Sequence, residues 1–105
     1  MPEYRDNPKP NNLSLINPSG WVMVQTMVTV FRAHGLRVII FTDDHEPAHV
    51  HVFGDGHAKI NLQGLNGVPE LVSVEGMTRA ETRRAMRVVV EQQTLLLAKW
   101  GEIHG

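Results

Sequence analysis

Cysteine is absent from this sequence. Disulfide frameworks, thiolate metal sites and a cysteine nucleophile are excluded with it. Long apolar runs are missing too. Stretches such as Val38-Ile39-Ile40-Phe41 fall far short of the ~20 residues that span a bilayer. The opening MPEYRDNPKPNN lacks the charged-then-apolar pattern of a secretory signal, so a soluble cytoplasmic chain with no membrane partner is expected. Nor is there an excess of charge of either sign. A net charge of −1 argues against a dedicated nucleic-acid coat, whose affinity comes from many phosphate-neutralising cations. The six histidines temper this, because they begin to charge just below neutrality. Neither an internal repeat nor a low-complexity block is present, and 105 residues allow one small domain with a modest core.

Residues 1–20, within an N-terminal segment of residues 1–26, are rich in Asn, Pro and Ser, as in Asn7-Pro8, Lys9-Pro10-Asn11-Asn12 and Asn17-Pro18-Ser19-Gly20. Such a stretch breaks helices, favours turns and buries little. It reads as a flexible N-terminal extension, with a candidate short strand at Trp21-Val22-Met23-Val24. From Met27 onward the texture becomes that of a single α+β domain, residues 27–105. Val28 to Phe31 and Leu36 to Thr42 are β-formers joined at Ala33-His34-Gly35, where Gly35 can take the positive φ of a tight turn. A second hairpin follows: His49 to Phe53 and His57 to Leu62 flank Gly54-Asp55-Gly56. Pairing Phe53 with His57 sets Val52 against Ala58, Val50 against Ile60, His51 against Lys59 and His49 against Asn61. One face of this hairpin is then apolar and the other polar, the alternation of a one-sided antiparallel sheet. Pro69 to Val74 adds a short edge strand.

Thr78-Arg79-Ala80-Glu81 fits a capping box, with Thr oxygen and Glu carboxylate satisfying helix-start amides reciprocally. Met86, Val89, Val90, Gln93, Leu96, Leu97 and Trp100 fall on one helical stripe, which outvotes the β-branched triplet Val88-Val89-Val90, and Gly101 is placed to end the helix. The expected fold is an antiparallel four- to five-stranded sheet of hairpins with one long C-terminal helix packed on one face.

The segment Asp43-Asp44-His45-Glu46-Pro47-Ala48-His49-Val50-His51-Val52 holds three of the six histidines. Titratable groups at this density beside a strand mark a candidate site. The bland alternative is architectural: Asp43, Asp44 and His45 cap a turn, Pro47 stiffens it and the imidazoles stack on neighbours. On a strand, His49 and His51 share a face, which suits two-point metal coordination with His45 or Glu46 adding ligands. Lys59, set opposite His51, opposes that, and no resident metal or cofactor is expected. Alternatively His49, His51, His57 and Lys59 contact an anion such as RNA or DNA phosphate, joined by the row Arg79, Arg83 and Arg87. That row opposes the helix macrodipole, although charge rows are usually just solvated faces and residues 27–105 carry 8 Lys and Arg against 9 Asp and Glu. The run His49-Val50-His51-Val52-Phe53 is also similar to the strand of histidine-triad nucleotide hydrolases, but Phe53 stands where the third histidine belongs and the motif lies mid-chain. Val88 and Leu95 fall opposite the apolar stripe and are candidates for a homodimer or partner seam.

Taken in order, Asp44-His45-Glu46-Pro47-Ala48-His49-Val50-His51-Val52, Gly54-Asp55-Gly56, Ala58-Lys59, Thr78, Glu81, Leu95-Leu96-Leu97, Trp100 and Glu102-Ile103-His104-Gly105 resemble a bacterial family of small proteins called domain of unknown function 4160. The resemblance covers about residues 27–105. Its members begin near the position of Met27, and they carry a second proline where this chain has Ala48. The resemblance implies a β-rich sheet with a C-terminal helix, no established activity, and operons shared with another small protein in toxin–antitoxin-like neighbourhoods. The combined expectation is a binding or regulatory module for a partner protein or nucleic-acid phosphate, with a surface formed by Asp44, His45, Glu46, His49, His51, His57 and Lys59. The alternative is a small metal-assisted or histidine-dependent phosphodiester hydrolase using His49 and His51.

Overall fold

The structure is a computed structural model that describes residues 26–105. The expected extension, apart from Thr26, and the candidate strand at Trp21–Val24 lie outside the described residues. Five strands, β1 (Met27–Ala33), β2 (Leu36–Phe41), β3 (His49–Phe53), β4 (His57–Asn61) and β5 (Glu70–Glu75), are followed by helices α1 (Arg79–Glu91) and α2 (Gln93–His104). The strands form one antiparallel sheet in the order β1-β2-β3-β4-β5, each paired to its sequence neighbour. The β1–β2 turn is two residues, His34 and Gly35, with φ of 54° and 76°, the doubly positive pattern whose twist matches a hairpin.

The β3–β4 register is the one the alternation predicts: His49↔Asn61, Val50↔Ile60, His51↔Lys59, Val52↔Ala58 and Phe53↔His57. Val38, Ile40, Val50, Val52, Ala58 and Ile60 are fully buried and pack with Ala85, Val88, Val89, Leu96 and Trp100 of the helices. The histidines therefore lie on the other face. The sheet is α+β as expected, but the helical layer is not one long helix. A break falls at Gln92 (φ −107°, ψ 17°), across which the hydrogen bonds Gln92 N–H to Val88 O and Leu96 N–H to Gln92 O still run. Neither glycine nor proline stands there. Instead the Gln93 amide nitrogen donates to the carbonyls of Leu62 (2.7 Å) and Gly67 (2.8 Å), hooking the start of α2 onto the β4–β5 connection and bending the helix there.

The bend lets the two helices bury different arcs. In α1 the buried positions are Glu81, Ala85, Val88 and Val89, whereas Val90 is exposed. Val88, read from the wheel as a surface seam, is thus a core residue at 2% exposure, while Leu95 does stand at the surface. Gly101 does not stop the helix either. α2 continues to His104, and Gly105 (φ 65°) caps it by donating to Gly101 O.

Half of the expected capping box forms. Thr78 Oγ1 accepts from Glu81 N–H at 3.0 Å, but the Glu81 carboxylate does not return to Thr78. It is 4% exposed and accepts from the Asp55 N–H at 2.7 Å, tying the tip of the β3–β4 hairpin to the start of α1. The glycines at that tip are required by closeness: a side chain at Gly54 would strike Glu81 Oε2 and Leu36, and one at Gly56 would strike the backbone of Glu75 and Gly76. Replacing Glu81 by Ala is expected to cost about 1–3 kcal/mol in urea unfolding, because Asp55 N–H loses its acceptor. Gly56→Ala should cost more than Gly54→Ala, since backbone cannot step aside as a side chain can. Equal stability of the Gly56 variant and the parent would contradict this packing.

Candidate functional site

The β2–β3 connection, residues 42–48, begins as a turn in which Asp44 N–H donates to Phe41 O at 3.1 Å, and its Glu46–Pro47 peptide is cis. Its carboxylate folds back over the sheet. Asp44 Oδ2 lies 3.1 Å from His49 Nε2 and 3.4 Å from His51 Nε2. Two imidazoles from alternate positions of β3 and one carboxylate from the preceding loop thus converge, with all three ligand-capable atoms within 4.8 Å of one another.

Each imidazole is held from its other side. His49 is 5% exposed and its Nδ1 donates to Pro47 O at 2.9 Å. A carbonyl can only accept, so Nδ1 carries the proton and, in the neutral ring, Nε2 presents a lone pair towards Asp44. His51 Nδ1 lies 3.0 Å from His57 Nε2, and His57 is stacked on Phe53 with centroids 4.6 Å apart. Phe41 meets the His51 ring edge-on at 4.7 Å. Burial lowers the His51 pKa to about 4; Asp44 pulls it back up, while His49, His57 and Lys59 push it further down. The ring is therefore neutral at pH 7. Its Nε2 is buried with no hydrogen-bond partner among the described residues, although it points at the same small volume as His49 Nε2 and Asp44 Oδ2.

That volume opens onto a cleft of about 420 Å³ lined by Asp44, His45, Glu46, His49, His51 and Lys59, with Asn61 and Val72 at its far wall. Six of the residues predicted from the sequence are thus brought together, and His57 joins them through His51. His45 is exposed at the cleft and has no hydrogen-bond or ion-pair partner among the described residues. Glu46 is held instead: its Oε2 accepts from Trp100 Nε1 at 3.1 Å, and the Trp100 ring lies 5.2 Å from His49. His104 packs on Trp100 at 3.8 Å, and its Nε2 lies 3.3 Å from Phe41 O. Sequence reasoning placed Trp100 on the core stripe and missed that its indole N–H braces this loop; an indole near a helix end, with a polar edge to satisfy, was the available signal. Arg79, Arg83 and Arg87 are not part of the cleft. They line a separate groove on the helical side of the sheet.

The sequence matches the family described as domain of unknown function (DUF4160) over residues 35–101, well over half of the chain, and the chain belongs to that family. No curated protein and no solved structure matches it. Among the described residues no helix is long and apolar enough to cross a membrane.

The depressed His51 pKa fixes a pH dependence. Unfolded, His51 binds a proton near pH 6.5; folded, only near pH 4, so between these values the unfolded state holds more protons. Stability of chelator-treated protein should therefore fall as pH drops from about 6.5 to 4, by up to about 1.4 kcal/mol per unit. His51→Gln should flatten that slope in urea titrations across the window, and an unchanged slope would show that another group is responsible.

Proposed function

We propose that this domain holds a divalent transition-metal ion of the zinc type between Asp44, His49 and His51, and presents it to an anionic ligand in the cleft. The observation that carries this reading is the buried Nε2 of His51, without a hydrogen-bond partner among the described residues and directed at the same point as His49 Nε2 and Asp44 Oδ2. Lone pairs crowded in this way repel unless a cation or proton sits between them. Ligands about 2.0–2.2 Å from a tetrahedral ion stand roughly 3.3–3.5 Å apart; here the carboxylate oxygen is 3.4 Å from His51 Nε2 and 3.1 Å from His49 Nε2, and all three atoms lie within 4.8 Å of one another. The supporting contacts are of the kind ligand imidazoles make, a carbonyl behind His49 and a second imidazole behind His51.

Three protein ligands leave a position for substrate or water, as in catalytic rather than structural sites. Lys59, which counts against a metal when only attraction to the ion is considered, acquires a purpose once the ion has a ligand: it draws an oxyanion onto the open position. Phosphodiester hydrolysis is the reaction this arrangement supports best. The ion would supply a water of lowered pKa. Lys59 and Asn61 orient the phosphate, water attacks phosphorus, and the ester P–O bond breaks as the alcohol leaves with the proton. The binding or regulatory reading uses the same residues to hold a phosphate without turnover.

Isothermal titration of chelator-stripped protein with Zn(II) or Co(II) should show one ion bound per chain. The variants His49→Ala and His51→Ala should abolish this uptake while remaining folded by circular dichroism. His57→Ala should weaken it roughly 10–100-fold. Bis(p-nitrophenyl) phosphate then separates the two uses of the ion: turnover lost with the ligands supports the hydrolase, and binding of metal without turnover leaves the non-enzymatic module. A folded wild-type chain that takes up none of these ions would overturn the reading.

A further inference from the structure

Among the described residues, the helical layer does not cover the whole sheet. Leu71 and Val74 of β5 pair with Ile60 and Ala58 and so point to the helical side, yet they are 38% and 40% exposed where their partners are fully buried. Between β5 and the outer flank of α1 runs a groove of about 600 Å³ with an apolar floor of Val74, Met77, Met86 and Val90. Val90 is 53% exposed. Arg79, Arg83 and Arg87 rim this groove, exposed and, among the described residues, without an ion-pair partner; Arg84, by contrast, lies 4.0 Å from Glu81. Arg79, the first residue of α1, opposes the helix dipole, so α1 itself gains nothing from that cation.

We infer that this groove docks an acidic amphipathic helix of a partner protein, which takes the place beside α1 that no described residue fills and completes the layer over β5. The chemistry of both halves selects that occupant. An apolar stripe is needed to cover valines and methionines, and methionine surfaces adapt readily to helical partners. Carboxylates along one flank are needed to meet the arginines. The repeat matches as well: Arg79, Arg83 and Arg87 recur every four residues, about 6 Å along the axis, which is the spacing of Glu at i, i+4 and i+8 on a neighbouring helix. A nucleic-acid backbone would satisfy the arginines but leave the floor uncovered, and a second copy of this chain would bring the same arginines face to face. This surface is on the opposite side of the sheet from the histidine cleft and does not depend on the metal reading.

The test uses full-length protein and a panel of fluorescein-labelled peptides of about 18 residues, each with a leucine stripe flanked by Glu at four-residue spacing. Controls are the same peptides with Lys for Glu, a scrambled set, and a labelled RNA duplex. Saturable one-to-one anisotropy changes are expected with the acidic set, weakening as salt rises. Binding should drop at least tenfold in Val90→Asp and in the double variant Arg83→Glu, Arg87→Glu, and that double variant should gain affinity for the Lys peptides. Amide shifts should concentrate at Val74, Met77, Met86 and Val90. Failure of every acidic peptide to bind better than its scrambled control overturns the inference. So does binding that ignores the charge reversal, preferential binding of the RNA duplex, or self-association in sedimentation that Val90→Asp abolishes.

Discussion

The register of the β3–β4 hairpin is the constraint on which the rest of the molecule depends. Because side chains alternate across a strand, a slip of β3 by one residue against β4 turns Val50 and Val52 to the open face and brings His49 and His51 under the helices. Each aliphatic side chain moved to water costs about 1.5–3 kcal/mol, so two of them take a large share of the ~5–15 kcal/mol that stabilises a small domain. Burying two imidazoles in their place, without polar partners, would cost more again. The alternative register is therefore not populated. Gly54 and Gly56 permit the close tip, and Glu81 pins that tip to the helix start, so the hairpin and the helical layer lock each other.

From that register the geometry of the cleft follows. Positions two apart on β3 place His49 and His51 on one side with rings 5.2 Å apart, and the loop before the strand can reach over only far enough to set Asp44 against both. The loop is not left to itself. Trp100 and His104, from the far end of the chain, bond Glu46 and approach Phe41 O, so the last turns of α2 fix the approach of Asp44. A site on a loop is imprecise unless something rigid backs it. Here a core tryptophan does so, with its ring in the apolar cluster and its N–H on the loop.

What the sequence discloses is what local periodicity controls. A tight β1–β2 turn with Gly35 at positive φ, the residue-by-residue pairing of His49–Phe53 with His57–Asn61, the Thr78 cap and the gathering of Asp44 to Lys59 at one place all follow from turn residues and alternation. The bend at Gln93, the turning of Val88 and the Glu81 bond share one cause, a partner distant in sequence. Gln93 bends the helix because of carbonyls near residues 62 and 67, and nothing in the helical wheel carries that information. Once bent, α1 turns Val88 inward and Val90 outward, which a single straight stripe cannot anticipate. Glu81 likewise satisfies an amide 26 residues away instead of its own cap. Asp44 differs again: the sequence shows a carboxylate near two histidines, but only the fold decides that its Oδ2 meets both Nε2 atoms.

The cleft and the arginine-rimmed groove lie on opposite faces of a sheet whose middle strands are buried under the helices. β5 is the one strand among the described residues that contributes to both: Val72 stands in the cleft wall, and Val74 two residues on lies in the groove floor. Two residues apart would ordinarily mean the same face. They reach opposite faces because the pairing shifts between Lys59 and Ile60, where Ser73 and Leu71 are partners and Val72 is the extra residue. The irregularity is thus what lets one edge strand serve two surfaces. This short, exposed strand is a direct route for energetic coupling between them, and linkage requires it to be reciprocal: an occupant of the groove that steadied Val72 would favour the filled cleft by the same factor as the filled cleft favoured the occupant.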